Sequence, residues 1–210
     1  MKIATLALFV ISSFSVFAEE SKNTDLLAKG LVDWTFITKD GEQPIDPTWK
    51  LKDGILSTTG TPIGYIRTKD TFKNYTLSFE WRWQAGTENN NSGVLVHVST
   101  PVATSGVWPK SFESQLQQDN AGDIWCIAET LETKGENPKM GRRWIRIADP
   151  KENPLGEWNT MTVTCKETTI DIRVDGTLVN QGTKLSTTQG AIAFQAEGAP
   201  IEFRNILVTE

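Results

Sequence analysis

An all-β fold of two packed antiparallel sheets is the architecture that this sequence predicts, on two observations. Apolar and polar residues alternate along many short segments, a pattern typical of strands with one buried face. Glycine, proline, asparagine and aspartate separate these segments at short intervals, as they do between the strands of sandwiches and barrels. A chain of 210 residues can bury one substantial core, and the best fit is a jelly-roll sandwich.

The clearest predicted strand covers residues 75–84. Its apolar positions, which we expect to face the core, are Leu77, Phe79, Trp81 and Trp83. The intervening Glu80 and Arg82 must then stand on the opposite face, because successive side chains of a strand alternate.

Other segments have the same apolar alternation. They cover residues 94–98, 161–165, 170–174, 190–198 and 201–208. Asp175-Gly176, which follows the third of them, is a dipeptide typical of a two-residue hairpin turn. Helical periodicity is weak, and only Ser21 to Lys29 could form a short helix.

The first eighteen residues have the pattern of a secretory signal peptide. Lys2 supplies a positive charge, the apolar run 3–17 follows, and Val16-Phe17-Ala18 has the small or aliphatic residues of a cleavage site. The run is shorter than the roughly 20 residues that cross a bilayer. We therefore expect cleavage after Ala18, a mature domain over 19–210, and a periplasmic or extracellular location.

Charge and composition argue against two classes of partner. Lys and Arg number 21 against 26 Asp and Glu, and a net charge of −5 disfavours nucleic acid, which is bound by neutralising phosphates. A second apolar stretch able to enter a membrane is missing from the sequence.

Cysteine and histidine are too few to indicate a cofactor. Cys126 and Cys165 could form a disulfide in an exported protein or remain as two buried thiols. The single histidine, His97, cannot build a zinc site of the usual spacing. We expect no required cofactor, and a structural calcium remains possible on the sequence alone.

Two long polar segments, residues 99–111 and 129–157, do not have the pattern of strands. Loops of this length are frequently functional. They carry Trp108 and Trp144, which either stack on the apolar face of a sugar ring or pack within their own loops. The second segment also contains Arg142, Arg143 and Arg146, so that it is a candidate binding rim on an acidic protein.

Several phrases occur in a fixed order along the chain. They are Gly30-Leu-Val-Asp-Trp34, Trp49-Lys-Leu-Lys-Asp-Gly-Ile-Leu56, Tyr75-Thr-Leu-Ser-Phe-Glu80, Asn91-Ser-Gly-Val-Leu-Val-His97, Phe112-Glu-Ser-Gln115, Glu157-Trp-Asn159 and Phe194-Gln-Ala-Glu-Gly-Ala-Pro-Ile-Glu-Phe-Arg-Asn-Ile206. With these phrases in this order, the sequence resembles the 3-keto-disaccharide hydrolase family over roughly residues 26–209. Two positions depart from the family pattern: many members have Tyr where this chain has Phe112, and His where it has Glu197.

The resemblance implies a concanavalin A-like sandwich that cleaves glycosides already oxidised to a ketone at C3. If the strands that carry the family phrases share one sheet, alternation places one polar set in one groove. The set is Glu80, Arg82, His97, Glu113, Gln115, Gln195 and Glu197. Carboxylates, amides and an imidazole suit hydroxyl-rich ligands and proton transfer.

We assign the expected roles by chemical type. Proton transfer is expected from Glu113, His97 and Glu80. Substrate binding is expected from Arg82, Gln115, Gln195, Glu197, Trp108 and Trp144. The structural alternatives are a surface ion pair between Glu80 and Arg82 and a purely structural His97.

Two other functions compete with cleavage of a 3-keto-glycoside. The same sandwich can serve as a non-catalytic carbohydrate-binding module, because a fold does not determine a function. An ordinary endo-glucanase of a related sandwich would show acidic residues in a pattern such as Glu-x-Asp-x-x-Glu, which this sequence lacks.

The signal-peptide pattern predicts that the mature protein begins at Glu19. N-terminal sequencing of the protein from its native host would measure this directly. An intact Met1 on cytoplasmic protein would contradict the expected export.

Overall fold

The computed structural model describes residues 21–88, 90–99, 103–133, 135 and 137–210. All regular secondary structure in these residues is β-strand. The expected signal peptide, residues 1–18, and the expected mature N-terminus at Glu19 lie outside the described residues. In the described part of the chain there is no helix long and apolar enough to cross a membrane.

The described residues form twenty strands. In chain order they are β1 (Asn23–Asp25), β2 (Trp34–Thr38), β3 (Gly41–Gln43), β4 (Trp49–Lys52), β5 (Ile55–Thr58), β6 (Gly64–Thr68), β7 (Tyr75–Trp83), β8 (Gly93–Val98), β9 (Ala103–Ser105), β10 (Trp108–Pro109), β11 (Ser111–Gln115), β12 (Ile124–Ile127), β13 (Glu132–Thr133), β14 (Lys139–Met140), β15 (Arg143–Trp144), β16 (Asn159–Lys166), β17 (Thr169–Val174), β18 (Thr177–Thr183), β19 (Ala191–Ala196) and β20 (Ile201–Thr209).

Two antiparallel sheets make up the sandwich. The front sheet has the order β14-β15-β12-β11-β8-β19-β6-β2-β3. The back sheet has the order β13-β18-β17-β16-β7-β20-β5-β4, with β1 paired to β20. Strands β9 and β10 form a separate antiparallel pair between β8 and β11. The predicted all-β sandwich is thereby confirmed.

The apolar rows predicted from alternation form the core between the sheets. Along β7 the burial pattern alternates strictly, and the four predicted core residues are at most 3% exposed. Phe194 of the front sheet contacts Phe79 and Phe203 of the back sheet, with ring centroids 5.4 and 4.8 Å apart. Buried aromatic pairs in such edge-on geometry add about 0.5–1.5 kcal/mol each beyond the area that they bury.

Three local predictions were wrong, the first of them at residues 99–111, where no strand was expected and the structure has β9 and β10. The segment 21–29 contains β1 rather than a short helix, because residues 23–25 pair with residues 207–209 at the end of β20. The loop 129–157 contributes three two-residue strands, of which β14 and β15 extend the front sheet.

Cys126 and Cys165 are both free and buried. They lie on β12 and β16, which belong to opposite sheets. The question that the sequence left open is thus answered in favour of two buried thiols.

The turn between β11 and β12 reaches across to the back sheet. Gly122 has a φ of 94°, and a Cβ at this position would lie 2.2 Å from the Val179 Cγ2 atom. The Gly122 carbonyl also accepts a hydrogen bond from Asn180 Nδ2 at 3.1 Å. Only glycine can make this close approach, which fixes the end of β11 against the opposite layer.

We expect Gly122→Ala to destabilise the domain more than Gly54→Ala does. Both glycines have positive φ, and a side chain there costs about 1–2 kcal/mol. Gly54 has open space around its Cβ position, whereas at Gly122 overpacking adds about 1–3 kcal/mol. Urea denaturation gives both free energies of unfolding, and equal losses would contradict the proposed contact.

Candidate functional site

Glu113 and Gln195 stand on the outer face of the front sheet, on strands β11 and β19 that both pair with β8. Their orientation follows from the core. Phe112 and Phe194 are buried between the sheets, so the next residue of each strand points outward. Glu113 is 7% exposed and Gln195 is fully buried, although neither faces the core.

Gly93 forms the floor between these two side chains. A Cβ on Gly93 would lie 2.6 Å from the Gln195 Oε1 atom and 2.6 Å from the Glu113 Oε1 atom. Both oxygens therefore occupy the space that a side chain at position 93 would fill if this residue were not glycine. The result is a carboxyl group beside an amide, each reaching over a strand from opposite sides.

The carboxyl groups of this site hold their protons unusually well. Burial, and secondarily the Glu197 carboxylate, raise the pKa of Glu113 to about 8, while Arg142 and the Gln195 amide oppose this shift. Burial also raises the pKa of Glu197 to about 7, against the lowering effect of Arg142. Two carboxyl groups and one guanidinium therefore share a partly dry site, and near neutral pH the pair can hold one proton.

Strand β12 and the loop that carries Arg142 form one flank of the site. Trp125 is the cross-strand neighbour of Glu113, and the guanidinium groups of Arg142 and Arg143 lie 5.4 and 5.6 Å from the Trp125 ring. The Arg142 carbonyl accepts a hydrogen bond from the Cys126 amide at 2.9 Å. The loop backbone is therefore fixed beside the carboxyl pair.

A buried aspartate anchors the same loop. Asp123 is fully buried and accepts hydrogen bonds from Arg143 Nε at 2.6 Å and from the Arg146 amide at 2.8 Å. Asn120 accepts further bonds from the guanidinium groups of both arginines. Arg143 and Arg146 thus hold this loop in place. Arg142 instead lowers the pKa values of Glu113 and Glu197 through its positive charge.

An aromatic pair forms the opposite flank. Tyr65 is the cross-strand neighbour of Gln195, and its ring centroid lies 6.4 Å from that of Trp108. Burial raises the pKa of Tyr65 to about 12, so that it stays a neutral phenol. Trp108 packs against an apolar cluster on this outer face that includes Leu95. The segment that carries Trp108 therefore covers part of the front sheet. The site lies between this segment and the loop that carries Arg142, Arg143 and Arg146, which we call the arginine loop.

A metal site is not evident here. Across the ranges that the structure describes, no three His, Cys, Asp or Glu side chains converge in a way that could hold an ion.

Sequence comparison gives the family. The sequence model of the 3-keto-alpha-glucoside-1,2-lyase-like domain matches residues 23–209. The chain belongs to this family. A search of curated proteins returns no significant match.

Solved structures share the fold at low sequence identity. Two proposed glycosyl hydrolases from Parabacteroides distasonis superpose with TM-scores of 0.62 and 0.61 at 23% and 20% identity. Each match covers 89% of this chain, and 98% and 92% of the respective relatives. A carbohydrate binding module from Bacillus subtilis has a TM-score of 0.59 at 11% identity, over 83% of this chain and 93% of the module.

The family phrase at residues 202–206 builds the back sheet rather than the site. Arg204 Nε and Asn205 Nδ2 donate hydrogen bonds to the Glu80 carboxylate at 2.7 and 2.6 Å. Arg82 Nε donates to Glu202 at 2.6 Å. The guanidinium groups of Arg82 and Arg204 stand 4.4 and 4.1 Å from the ring centre of Trp158.

The expectation that Glu80 and Arg82 share a groove with Glu113 was therefore wrong. They do face away from the core, but β7 lies between β16 and β20 of the back sheet. The whole thickness of the core separates them from the front-sheet face. Both side chains are held in ion pairs on that opposite surface.

His97 was also expected on the groove side of β8, and this too was wrong. A β-bulge with a φ of 53° at His97 adds a residue to the strand, so that Leu95 and Val98 share the outer face. The imidazole turns inward and meets the buried Tyr75 ring edge-on at 5.8 Å. Neither ring nitrogen bonds to any described residue, and burial lowers the pKa of His97 to about 4.

The remaining predicted residues divide between the two sides of the front sheet. Trp144 packs against the core under the Lys139 ammonium, 4.7 Å away, so the expected exposed stacking position was wrong. Gln115 faces outward, but its Oε1 accepts the amides of residues 116 and 117 and fixes a turn. Glu113, Gln195, Glu197 and Trp108 are the predicted residues that the outer face brings together.

Three residues of this site were not predicted from the sequence: Tyr65, Trp125 and Gly93. Tyr65 and Trp125 join the site only through cross-strand register, which brings together residues far apart in the chain. The Asn91-Ser-Gly93 phrase was the one available signal, since glycine inside a strand suggests a close approach.

We expect His97→Phe to weaken the acid sensitivity of the fold. The folded pKa lies below the ordinary 6.5, so that stability from the neutral imidazole is complete above pH 6.5 and is lost as pH falls towards 4. Phenylalanine keeps the contact with Tyr75 and cannot titrate. Relative to wild type, the variant should gain about 2–3 kcal/mol of unfolding free energy between pH 7 and pH 4.

Denaturant unfolding at several pH values measures that difference. The carboxyl groups titrate in both proteins and cancel in the comparison. A gap that stays constant with pH would show that His97 does not carry this effect.

Proposed function

We propose that this protein cleaves glycosides whose C3 carbon is oxidised to a ketone, and that it does so by elimination across C1 and C2. The observation that supports this proposal most directly is the pair Glu113 and Glu197. They are two carboxyl groups of raised pKa beside Arg142 on the outer face of the front sheet. Membership of the lyase-like family supports the reaction class, and the sandwich fold of proposed glycosyl hydrolases supports a sugar ligand. The sequence prediction of export puts this activity in the periplasm or outside the cell.

Glu197 is the base in this mechanism. A ketone at C3 acidifies the hydrogen on C2, so that a carboxylate can remove it. Glu197 has the lower pKa of the two carboxyl groups and Arg142 favours its charged form, so it ionises first. The electron pair of the C2–H bond then forms an enolate with its charge on the C3 oxygen.

Glu113 is the acid. Its pKa of about 8 keeps it protonated at neutral pH, and a neutral carboxylic acid can donate its proton to the C1 oxygen as the C1–O bond breaks. The enolate collapses to a C3 ketone conjugated with a new C1–C2 double bond, and the aglycone leaves as an alcohol. Addition of water across that double bond gives the free 3-keto sugar, so that the sum is hydrolysis.

Donors beside the carboxyl pair stabilise the charge that develops on the C3 oxygen. Gln195 offers an amide N–H group, and Arg142 offers a guanidinium. Such donors act strongly where water is excluded, as it is at the buried Gln195. Trp108, half-buried beside Tyr65, is the aromatic ring that would contact the apolar face of a sugar.

A non-catalytic carbohydrate-binding module is the second candidate. The similarity of fold to a carbohydrate binding module favours it, as does the aromatic flank formed by Tyr65 and Trp108. Such a module needs aromatic and hydrogen-bonding groups but has no use for two carboxyl groups whose pKa values differ from the ordinary range.

We expect Glu113→Gln to lower turnover of a 3-keto-glucoside by about a hundredfold or more, the scale of a lost acid–base group. The melting temperature should change little, because glutamine matches the shape of the protonated acid. Activity of the wild type should fall below about pH 7, as Glu197 gains a proton, and above about pH 8, as Glu113 loses one. Purified protein, a 3-keto-glucoside and a pH series are sufficient for the measurement.

Glu80→Gln is the matched control, since it changes a carboxylate on the opposite face of the sandwich and should leave turnover unchanged. Full activity of Glu113→Gln would remove Glu113 as the acid. A wild type that binds sugars but converts no 3-keto-glycoside would favour the binding module.

A further inference from the structure

The Gln195 side chain is a buried amide whose close polar neighbour is the Glu113 carboxyl group. It is fully buried, and neither its Oε1 nor its Nε2 atom has a hydrogen bond of ordinary geometry to any described residue. Its backbone, by contrast, is fixed, because the Gln195 carbonyl accepts a bond from Ser92 Oγ at 2.9 Å. A buried amide with hydrogen-bonding capacity left over costs free energy, and a bound ligand is one group that can supply the missing partner.

The space that holds this amide exists because residue 93 has no side chain. The Gln195 and Glu113 oxygens each lie 2.6 Å from the position of a Cβ on Gly93, and the Glu113 Cγ atom lies 2.9 Å from it. Contacts of this length to a Cβ do not occur, so any larger residue must displace both side chains. The backbone of Gly93 itself has no positive φ, which means that the requirement comes from space and not from backbone conformation.

We propose that Gly93 is a positioning residue: the slot above it holds the Glu113 carboxyl group and the Gln195 amide side by side, so that both reach the same bound sugar. This inference rests on the proposed function for the identity of the sugar. The placement of the two side chains is independent of it. Without the slot, Glu113 would lift from the sheet into solvent.

The protonation of Glu113 reports on this placement. Burial is the largest cause of its raised pKa, and the charged groups that face it are Glu197 beyond the end of β19 and Arg142 on the arginine loop. Its neighbours on β8 and β12, Leu95 and Trp125, carry no charge. Displacement from the slot should therefore return the pKa towards the ordinary value of a glutamate.

The test is Gly93→Ala, with the Glu113 carboxyl titrated by carbon-13 NMR in the absence of substrate and assigned with Glu113→Gln. We expect the pKa of Glu113 to fall by at least one unit from about 8. On a 3-keto-glucoside, turnover should fall at least tenfold and the alkaline limb of the pH profile should move to lower pH by the same amount.

Gly182→Ala is the matched control. Gly182 lies in β18 of the back sheet, and a Cβ there would lie 2.8 Å from the Ile170 Cγ2 atom, so that it also crowds its surroundings. This variant should lose stability and keep the Glu113 titration of the wild type. Equal titration of Glu113 in the Gly93→Ala and Gly182→Ala proteins would overturn the proposal.

A second comparison serves if Gly93→Ala does not fold. Gln195→Ala removes one of the two clashing side chains, and Gly93→Ala is then added to it. We expect the added change to lower the pKa of Glu113 in that background, and an unchanged pKa would overturn the proposal. Because the titration needs no substrate, failure of the wild type to cleave 3-keto-glycosides would contradict the proposed function and leave the positioning result to stand separately.

Discussion

Contact of Phe194 with Phe79 and Phe203 between the two sheets is the interaction on which the rest of the site depends. A strand cannot bury one side chain inward without turning the next one outward. Burial of Phe194 therefore fixes the direction of Gln195, and burial of Phe112 fixes that of Glu113 in the same way. The polar face is set by the apolar core: a shift of one residue in β19 would move Gln195 into the interior, and the same shift in β11 would move Glu113 there.

Alternation in the sequence was sufficient to predict β7, β8, β16, β17, β19 and β20 and the outward face of most of them. It could not predict which strands become neighbours, because pairing joins segments that are distant in the chain. Glu80 illustrates this: its outward orientation was correct, yet its strand lies in the other sheet. His97 illustrates a second limit, since one residue of left-handed backbone inverts the alternation that follows it and leaves no apolar signature in the sequence. Trp125 and Tyr65 enter the site only through register across strands.

The phrases that carry the family resemblance have different physical functions. Within residues 202–206, Glu202 and Arg204 form ion pairs on the surface beside Trp158, and Asn205, at a φ of 52°, turns its amide to Glu80 there. Their contribution is to the back sheet, far from the carboxyl pair. The phrases at 112–115 and 194–198 contain Glu113, Gln195 and Glu197, the residues of the chemistry that we propose. Residue 197 of this chain is a glutamate, so that the mechanism we propose uses two carboxyl groups of raised pKa.

The two cysteines have a consequence for how the protein tolerates its surroundings. Burial raises the pKa of the Cys126 thiol to about 11 and that of Cys165 to about 12, so that almost no thiolate is present near neutral pH. Thiolate is the form that reacts with oxidants and disulfides. A sandwich held by apolar packing between its sheets, with both sulfur atoms protonated and enclosed in separate layers, is indifferent to redox potential. The folded domain should therefore tolerate reducing and oxidising surroundings alike.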